Sequence, residues 1–145
     1  MTHADMARHI VFDTGVLVSA AILPGSTPAR AMRAALQHGE LCVSAATLDE
    51  LDRVLGREKF DRYLPPILRR AFVDGLRSHG CLIEVTLQVT DCADPGDNMF
   101  LALAETAGAE WIVSSDPHLT GLHPWRGIPI VPPAVFLAAI SEDGR

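Results

Sequence analysis

The sequence predicts a three-layer α/β/α sandwich built on a central, mostly parallel sheet of about five strands. Short apolar runs alternate with helical patterns along the 145 residues, which favours a parallel sheet covered by helices on both faces. The length fits one domain, predicted to span 1–145 with a core at about 9–138. Apolar residues make up 48% of the chain and charged residues 21%, which is typical of a globular protein and excludes a disordered one.

Strands are predicted wherever a short apolar run meets turn residues. The first, 9–13, ends in Asp-Thr-Gly, and the second is predicted at 41–44. The third is predicted at 82–85, with an extension to 89, and the fourth and fifth at 111–114 and 127–131. Right-handed crossovers would place the carboxyl ends of these strands at one edge of the sheet, where ligands bind.

Helices are predicted between the strands from apolar spacing and from cap residues. The segment 16–23 is interpreted as a helix or a turn. Thr27-Pro28 predicts the next helix start, because a capping hydroxyl precedes proline at the first position. Gly39 predicts the end of that helix. The remaining helices are predicted at 45–55, 67–78, 96–107 and 133–140.

Charge and cysteine usage limit the setting of the protein. A net charge of -6 argues against a general nucleic-acid coat, although it allows a local basic face. The cysteines Cys42, Cys81 and Cys92 include no C-x-x-C pair, which predicts reduced thiols and neither a disulfide nor a zinc framework. Residues 1–9 contain no apolar signal core, and no run approaches a membrane span. A cytoplasmic protein is therefore expected.

Five acidic residues stand where turns would gather their side chains at that edge of the sheet. They are Asp13, Glu50, Asp94, Asp97 and Asp116. Two carboxylates 4 Å apart repel by roughly 4 kcal/mol at an effective dielectric near 20, so a divalent cation is expected among them. An EF-hand at 91–97 is excluded, because the alternating acids and the final glutamate of that loop are missing.

The same positions are also typical of caps, and both interpretations stay open on the residues alone. The cap signatures are Asp13 before Thr14-Gly15, the capping box Thr47-Leu-Asp-Glu50, and the pairs Asp94-Pro95 and Asp116-Pro117. Ser44 competes for the second of these caps, which would free Glu50. Asp97 falls in register with the apolar face of its helix and is assigned to the site. Asp94 is assigned to capping, with an accessory role.

Ordered motifs surround these acids. They are Asp13-Thr-Gly-Val, Ser44-x-x-Thr-Leu-x-Glu50-Leu, Asp94-Pro-x-Asp97-Asn, Ser114-Ser-Asp116-x-His-Leu and Ile128-x-Ile-Val. In this order and spacing, over about residues 9–138, the chain resembles the PIN domain family, in the branch of toxin components of toxin–antitoxin systems.

The resemblance implies a ribonuclease that cleaves single-stranded RNA with one or two Mg²⁺ or Mn²⁺ ions. It maps the catalytic, metal-binding acids onto Asp13, Glu50, Asp97 and Asp116, with Asp94 as an accessory ligand. The hydroxyls of Thr14, Ser114 and Ser115 are expected to hold carboxylates or substrate phosphate. A cognate antitoxin and a second copy of the chain are candidate partners. The family usually has asparagine at the position of Gly15 and threonine–glycine at Ser114-Ser115.

Positive charge is concentrated between Arg53 and Arg77, around Phe60 and Tyr63. The candidate RNA contacts there are Arg53, Arg57, Lys59 and Arg62. The aromatic rings could stack on bases. The alternatives are a solvated helical hairpin with both rings in the core, or a surface for an antitoxin or a second subunit. The segment 24–33 is a second candidate rim of the RNA groove.

Other enzyme classes fit the sequence less well. A haloacid-dehalogenase-type phosphatase needs a second acid two residues after the first, where Gly15 stands. It and a response-regulator receiver also need a lysine near the later acids, and Lys59 is the only lysine of the chain. The remaining alternative is a catalytically weak or inactive PIN-fold module that binds RNA or protein.

Overall fold

Five parallel strands form the sheet of the computed structural model, which describes residues 8–143. They are β1 (His9–Phe12), β2 (Glu40–Val43), β3 (Cys81–Leu82), β4 (Trp111–Val113) and β5 (Ile130–Val131). Their spatial order is β3-β2-β1-β4-β5. In-register pairs such as Ile10 with Leu41 and Val11 with Ile112 join β1 to its two neighbours. The predicted parallel sheet is confirmed.

Seven α-helices cover this sheet in the described part of the chain. They are α1 (Thr14–Ile22), α2 (Thr27–His38), α3 (Ala45–Leu55), α4 (Pro66–His79), α5 (Asn98–Ala107), α6 (Pro117–Thr120) and α7 (Pro133–Asp143). One face of the sheet packs against α1 to α4 and α7, around Phe12, Leu51 and Phe136. The other packs against α5 and α6, around Val11 and Leu103. The three-layer sandwich is therefore confirmed.

The order in which strands are added to the sheet reverses at β1. The strands β2 and β3 lie on one side of β1, and β4 and β5 lie on the other. Ligands bind at such switch points, outside the carboxyl ends of the strands. Phe12 fixes the end of β1 through an edge-to-face contact with Phe136, with ring centroids 5.7 Å apart. The amide of the next residue, Asp13, donates to the carbonyl of Val113 at 3.1 Å. The ends of β1 and β4 are therefore held side by side.

Two predicted helix starts are corrected. Ser26 caps α2, because its Oγ accepts the amide of Ala29 at 3.3 Å, and Thr27 lies inside the helix. The helix predicted from 96 begins at Asn98, because Pro95 opens a short 3₁₀ turn, Pro95–Asp97, before it. The four-residue helix α6 is absent from the sequence prediction, although the pair Asp116-Pro117 marks its start.

Two predicted strands are longer than the observed ones. The strand predicted at 82–85, with an extension to 89, is Cys81–Leu82. Beyond it, Ile83 adds one backbone bond to Val43 at 2.8 Å, and 84–90 lie outside the sheet. The strand predicted at 127–131 is only Ile130–Val131, because Gly127 takes a left-handed φ of 79° in a turn.

The described residues bear on two further expectations. The predicted domain bounds and the N-terminal segment include residues 1–7 and 144–145, which lie outside the described part of the chain. Between residues 8 and 143, none of the helices combines the length and the apolar character that crossing a bilayer requires.

Candidate metal centre

A cleft of about 360 Å³ opens at the carboxyl ends of β1 and β4. The polar residues that line it are Asp13, Thr14, Ser19, Glu50, Asp97, Ser115 and Asp116, and the others are Gly15, Val16, Pro28 and Phe100. The fold thus brings four of the five predicted acids to one cavity. Pro28 also places part of the segment 24–33 on its rim.

Asp13 is both a helix cap and a member of this cleft. One carboxylate oxygen, Oδ1, accepts the amide of Val16 at 2.9 Å and caps α1. The other, Oδ2, accepts a hydrogen bond from the hydroxyl of Ser114. Burial raises the pKa of Asp13, while these two hydrogen bonds oppose the rise and the charge of Asp116 adds to it. The cap interpretation of Asp13 is therefore confirmed, and the same side chain also lines the cleft, where metal binding stays a prediction.

Ser114 connects the acid that follows β1 to the acid that follows β4. It is fully buried, and its Oγ donates to Asp13 and accepts the amide of Asp116 at 2.9 Å. This single hydroxyl therefore fixes the spacing of two carboxylates on neighbouring strands. The neighbouring hydroxyl, that of Ser115, is exposed and faces the cleft.

Removing the Ser114 hydroxyl is expected to loosen the site more than it weakens the fold. Ser114→Ala should lower Mg²⁺ affinity about 10- to 100-fold, as loss of a ligand-orienting hydrogen bond generally does. Calorimetric Mg²⁺ titration of the purified variant measures this. Ser115→Ala, whose hydroxyl is outside this chain of hydrogen bonds, serves as the control, and an equal loss of affinity there would contradict the assignment.

Asp97 and Asp116 form the closest acidic contact of the cleft. Burial, followed by the hydrogen bond to Asp116, raises the pKa of Asp97 to about 7. The same hydrogen bond is the main cause that lowers the pKa of Asp116. Two carboxylates can share a hydrogen bond only if one keeps a proton. Asp97 is therefore the member of the pair that keeps a proton as the pH rises towards 7.

Asp94 and His118 complete a four-residue group with this pair. Side-chain ligand atoms of Asp94, Asp97, Asp116 and His118 all lie within 4.8 Å of one another. Asp94 is exposed and caps the 3₁₀ turn by accepting the amide of Gly96 at 3.1 Å. The Nδ1 of His118 lies 3.4 Å from an Asp116 oxygen. The sequence analysis did not assign this histidine to the site. Its position two residues after Asp116, the aspartate that follows β4, is a signal that could have identified it.

Glu50 reaches the cleft from α3, opposite the strand ends. Ser44 and Thr47 form the capping box of this helix, with Ser44 N donating to Thr47 Oγ1 at 2.9 Å and Thr47 N to Ser44 Oγ at 3.2 Å. The capping-box alternative for Glu50 is therefore wrong. Its carboxylate is bound by Arg53 at 2.5 Å, so an ion at this position would compete with an arginine.

The donor set fits a divalent cation that prefers oxygen. The buried atoms Asp97 Oδ2 and Thr14 Oγ1 have no hydrogen-bond partner within the described chain. An unsatisfied buried polar atom costs about 1–3 kcal/mol, and a hydrated cation would offset that cost. Carboxylates and hydroxyls suit Mg²⁺ or Mn²⁺, and a nearby imidazole such as that of His118 is acceptable to Mn²⁺.

One residue of the predicted basic segment is structural. Arg69 is 3% exposed, donates to the carbonyls of Leu64 and Leu55 at 2.8 and 2.6 Å, and pairs with Asp61. It therefore ties the turn after α3 to α4, and RNA cannot reach it.

All four candidate RNA contacts are exposed and none lines the cleft, although Arg53 pairs with Glu50, which does. Arg57, Lys59 and Arg62 are exposed, and the last two lie over the rings of Phe60 and Tyr63 at 5.2 and 5.3 Å. Phe60 packs partly against the core, whereas Tyr63 is 50% exposed. The core-hairpin alternative therefore holds for one ring, and the other remains open to a partner.

Comparisons with known proteins support the same architecture. The PIN domain family model matches residues 9–118. No curated protein matches the chain at a significant level. Among solved structures, VapBC2 from Rickettsia felis, bound to a promoter DNA fragment, has a TM-score of 0.57 at 11% identity, covering 84% of this chain and 96% of that chain. VapC20 from Mycobacterium tuberculosis, a toxin that cleaves the sarcin–ricin loop, has a TM-score of 0.55 at 13% identity, covering 79% and 95%.

Proposed function

The chain belongs to the PIN domain family, and on that premise we propose that it is an Mg²⁺- or Mn²⁺-dependent endoribonuclease for single-stranded RNA, the toxin of a toxin–antitoxin pair. The observation that carries the proposal is the meeting of Asp13, Asp97 and Asp116 in one cleft, where the buried Asp97 Oδ2 has no hydrogen-bond partner among the described residues. Burial and Asp116 raise the pKa of Asp97 to about 7, so this carboxyl group can exchange a proton for a metal ion near neutral pH.

Asp13, Asp97 and Asp116 would hold the ion, with Asp94 and His118 at the open side. When bound, such an ion acidifies a water and stabilises the charge on the phosphate. Ser114 keeps Asp13 and Asp116 at a fixed spacing.

The remaining polar groups of the cleft have roles on the substrate side. The orphaned Thr14 hydroxyl and the exposed Ser115 hydroxyl line the cavity and can donate to phosphate oxygens. Glu50, once released from Arg53, would orient the attacking water or hold a second ion. In the free protein, the release of Glu50 requires that its 2.5 Å ion pair with Arg53 breaks.

An RNA substrate is supported by the positions of charge and aromatic rings. Arg57, Lys59 and Arg62 are exposed on the turn that follows α3, the helix that carries Glu50. Phosphates would contact these cations, and Tyr63 offers an exposed ring for a base. VapC20, which shares the fold, is a toxin that cleaves an RNA loop. The chain itself carries a net charge of -6, so binding is expected to depend on this local segment.

A protein partner is supported by an apolar groove of about 260 Å³ between α2 and α4. Met32, Leu36 and Phe72 line it, and Ile67 on α4 is 76% exposed. Exposed apolar surface of this kind typically marks a protein interface. We assign it to an antitoxin or to a second copy of the chain. The proposed setting is the cytoplasm, where the free cysteines would stay reduced.

Metal-dependent cleavage tests the proposal directly. The purified protein is expected to cut single-stranded RNA with Mg²⁺ or Mn²⁺, and EDTA should slow cutting at least about a hundredfold. Added excess metal should restore the rate, and a duplex of the same sequence should be cut more slowly. Cleavage that persists in EDTA would contradict the proposal and indicate a contaminating nuclease.

The second candidate function is a binding module that does not cut. Gly15 favours it, because the space where the family usually has asparagine is open, and an added Cβ would meet only Asp13 Oδ1 at 3.9 Å. In the same assay this candidate predicts retention of single-stranded RNA with intact length under every metal condition.

A further inference from the structure

A second group of potential metal ligands lies on the sheet itself. His9 on β1, Cys42 on β2 and Cys81 on β3 each offer one ligand atom, and these atoms lie within 4.8 Å of one another. Cys42 is the in-register partner of Cys81, so the two thiols project from the same face of adjacent strands. Asp13 lies about 13 Å further along β1, at about 3.3 Å per residue. The group is therefore separate from the acidic cleft.

The two ring nitrogens of His9 have different neighbours. Its Nδ1 lies 2.7 Å from the carbonyl oxygen of Ala107, and a carbonyl only accepts, so Nδ1 carries the hydrogen. Its Nε2 lies 3.4 Å from an oxygen of Glu40. A lone pair on Nε2 would face that carboxylate, unless a proton or a metal ion lies there. A histidine that donates Nδ1–H to a backbone carbonyl and presents Nε2 is the usual arrangement of a metal ligand.

We propose that His9, Cys42 and Cys81 form a binding site for a thiophilic cation, with Zn²⁺ as the best fit, and that Glu40 or a water supplies the fourth ligand. Zinc takes thiolate and imidazole ligands at about 2.3 and 2.0 Å in a tetrahedron, which places the ligand atoms about 3.3–3.8 Å apart. This site does not depend on the proposed nuclease function.

Metal binding at the Cys42 thiol has to be coupled to proton release. Cys42 is 2% exposed, and burial, followed by the effect of Cys81, raises its pKa to about 12. In the metal-free protein the Cys42 thiol therefore stays protonated, and zinc must displace that proton. Cys81 and His9 are only partly buried, so an ion can enter from their side.

A bound ion would connect three neighbouring strands. β3 has only two residues, Cys81–Leu82, and is the edge strand of the sheet. Coordination through Cys81 would fasten this short strand to β2 and β1. The expected role is therefore structural.

Binding of Co²⁺ and Zn²⁺ to the reduced, full-length protein tests the site. With excess Mg²⁺ present to occupy the acidic cleft, one equivalent of Co²⁺ should produce a thiolate charge-transfer band, and one equivalent of Zn²⁺ should remove it. Zinc at a hundredfold excess over its Kd should raise the midpoint of thermal unfolding by roughly 5–10 °C.

Variants identify the ligands. Cys81→Ser and His9→Gln should each weaken zinc binding by a factor on the order of 100 or more, whereas Cys92→Ser, a matched change of the third cysteine, should bind like the wild type. Absence of the charge-transfer band in the folded wild-type protein would overturn the proposal, even if a variant failed to fold. Equal loss of binding in Cys92→Ser, or zinc binding that excess Mg²⁺ abolishes, would also overturn it.

Discussion

Asp13→Asn is expected to lower the rate of RNA cleavage by about a thousandfold, the range found when a positioned charge is removed from a catalytic site. The asparagine would lose the negative charge that faces the cleft but keep the cap. Its oxygen can still accept the amide of Val16, and its amide can donate to the Ser114 hydroxyl in place of the present bond. Cleavage of a labelled single-stranded RNA under saturating Mg²⁺, with thermal unfolding of the same sample, measures both effects.

Asp49→Asn is the matched control, because Asp49 is an exposed acid on α3 next to Glu50 and faces away from the cleft. It should retain wild-type cleavage. A near-wild-type rate for Asp13→Asn would remove Asp13 from the site. A large fall in its unfolding temperature would instead show that the charge of Asp13 supports the fold, since asparagine keeps the cap of α1.

Asp97→Asn is expected to abolish cleavage and, in the same molecule, to stabilise the metal-free fold at pH 8. An uncharged amide can donate to Asp116 without a shared proton, and it removes a buried charge. The gain should be on the order of 1 kcal/mol, the value of about one pKa unit, because the amide removes a charge that burial and Asp116 disfavour. Thermal unfolding in EDTA at pH 5 and pH 8 measures the stability, and RNA cleavage in Mg²⁺ measures the activity.

The sign of the pH effect follows from the raised pKa of Asp97. Folding raises this pKa from 3.8 to about 7, so between these values the folded state binds more protons than the unfolded chain. The contribution of Asp97 to stability is therefore complete below about pH 4 and is lost as the pH rises through 7. The metal-free wild type should be less stable at pH 8 than at pH 5, and Asp97→Asn should reduce that difference.

Asp49→Asn again supplies the comparison, since an exposed carboxylate should change neither the pH dependence nor the response to metal. If Asp97→Asn were less stable than the wild type at pH 8 in EDTA, the carboxylate of Asp97 would be a stabilising group and not a strained one. If the variant still bound Mg²⁺ with wild-type affinity, Asp97 would not be a ligand.

Local signals predicted the acids that follow the strands. An aspartate directly after Ile-Val-Phe or Ile-Val-Ser-Ser can stand only at a strand end, and strands joined by helices end at the same edge of the sheet. The sequence offered two cap residues for α3, Ser44 and Thr47, and could not decide between them. In the structure each of these two side chains accepts the backbone amide of the other, and Glu50 is left to line the cleft.

Contacts between residues far apart in the sequence could not be predicted from those local signals. Arg69 is one of several basic residues in its stretch, and only the turn that wraps around its guanidinium shows that it is buried. The strand predicted through 85 stops at Leu82, because a strand is defined by its neighbour, and β2 ends at Val43. The hydrophobic pattern indicates which side chains are apolar. It does not indicate which backbone segment hydrogen-bonds to a neighbouring strand.

The sequence by itself determined the parallel α/β sandwich and the acids Asp13 and Asp116 at the strand ends, because hydrophobic period and turn chemistry are local properties of the chain. Only the tertiary structure decided that Asp97 and Asp116 lie close enough to shift each other's pKa, that Ser114 spans two strands, and that His9, Cys42 and Cys81 meet. These relations depend on distances between residues far apart in sequence, which strand order and register fix.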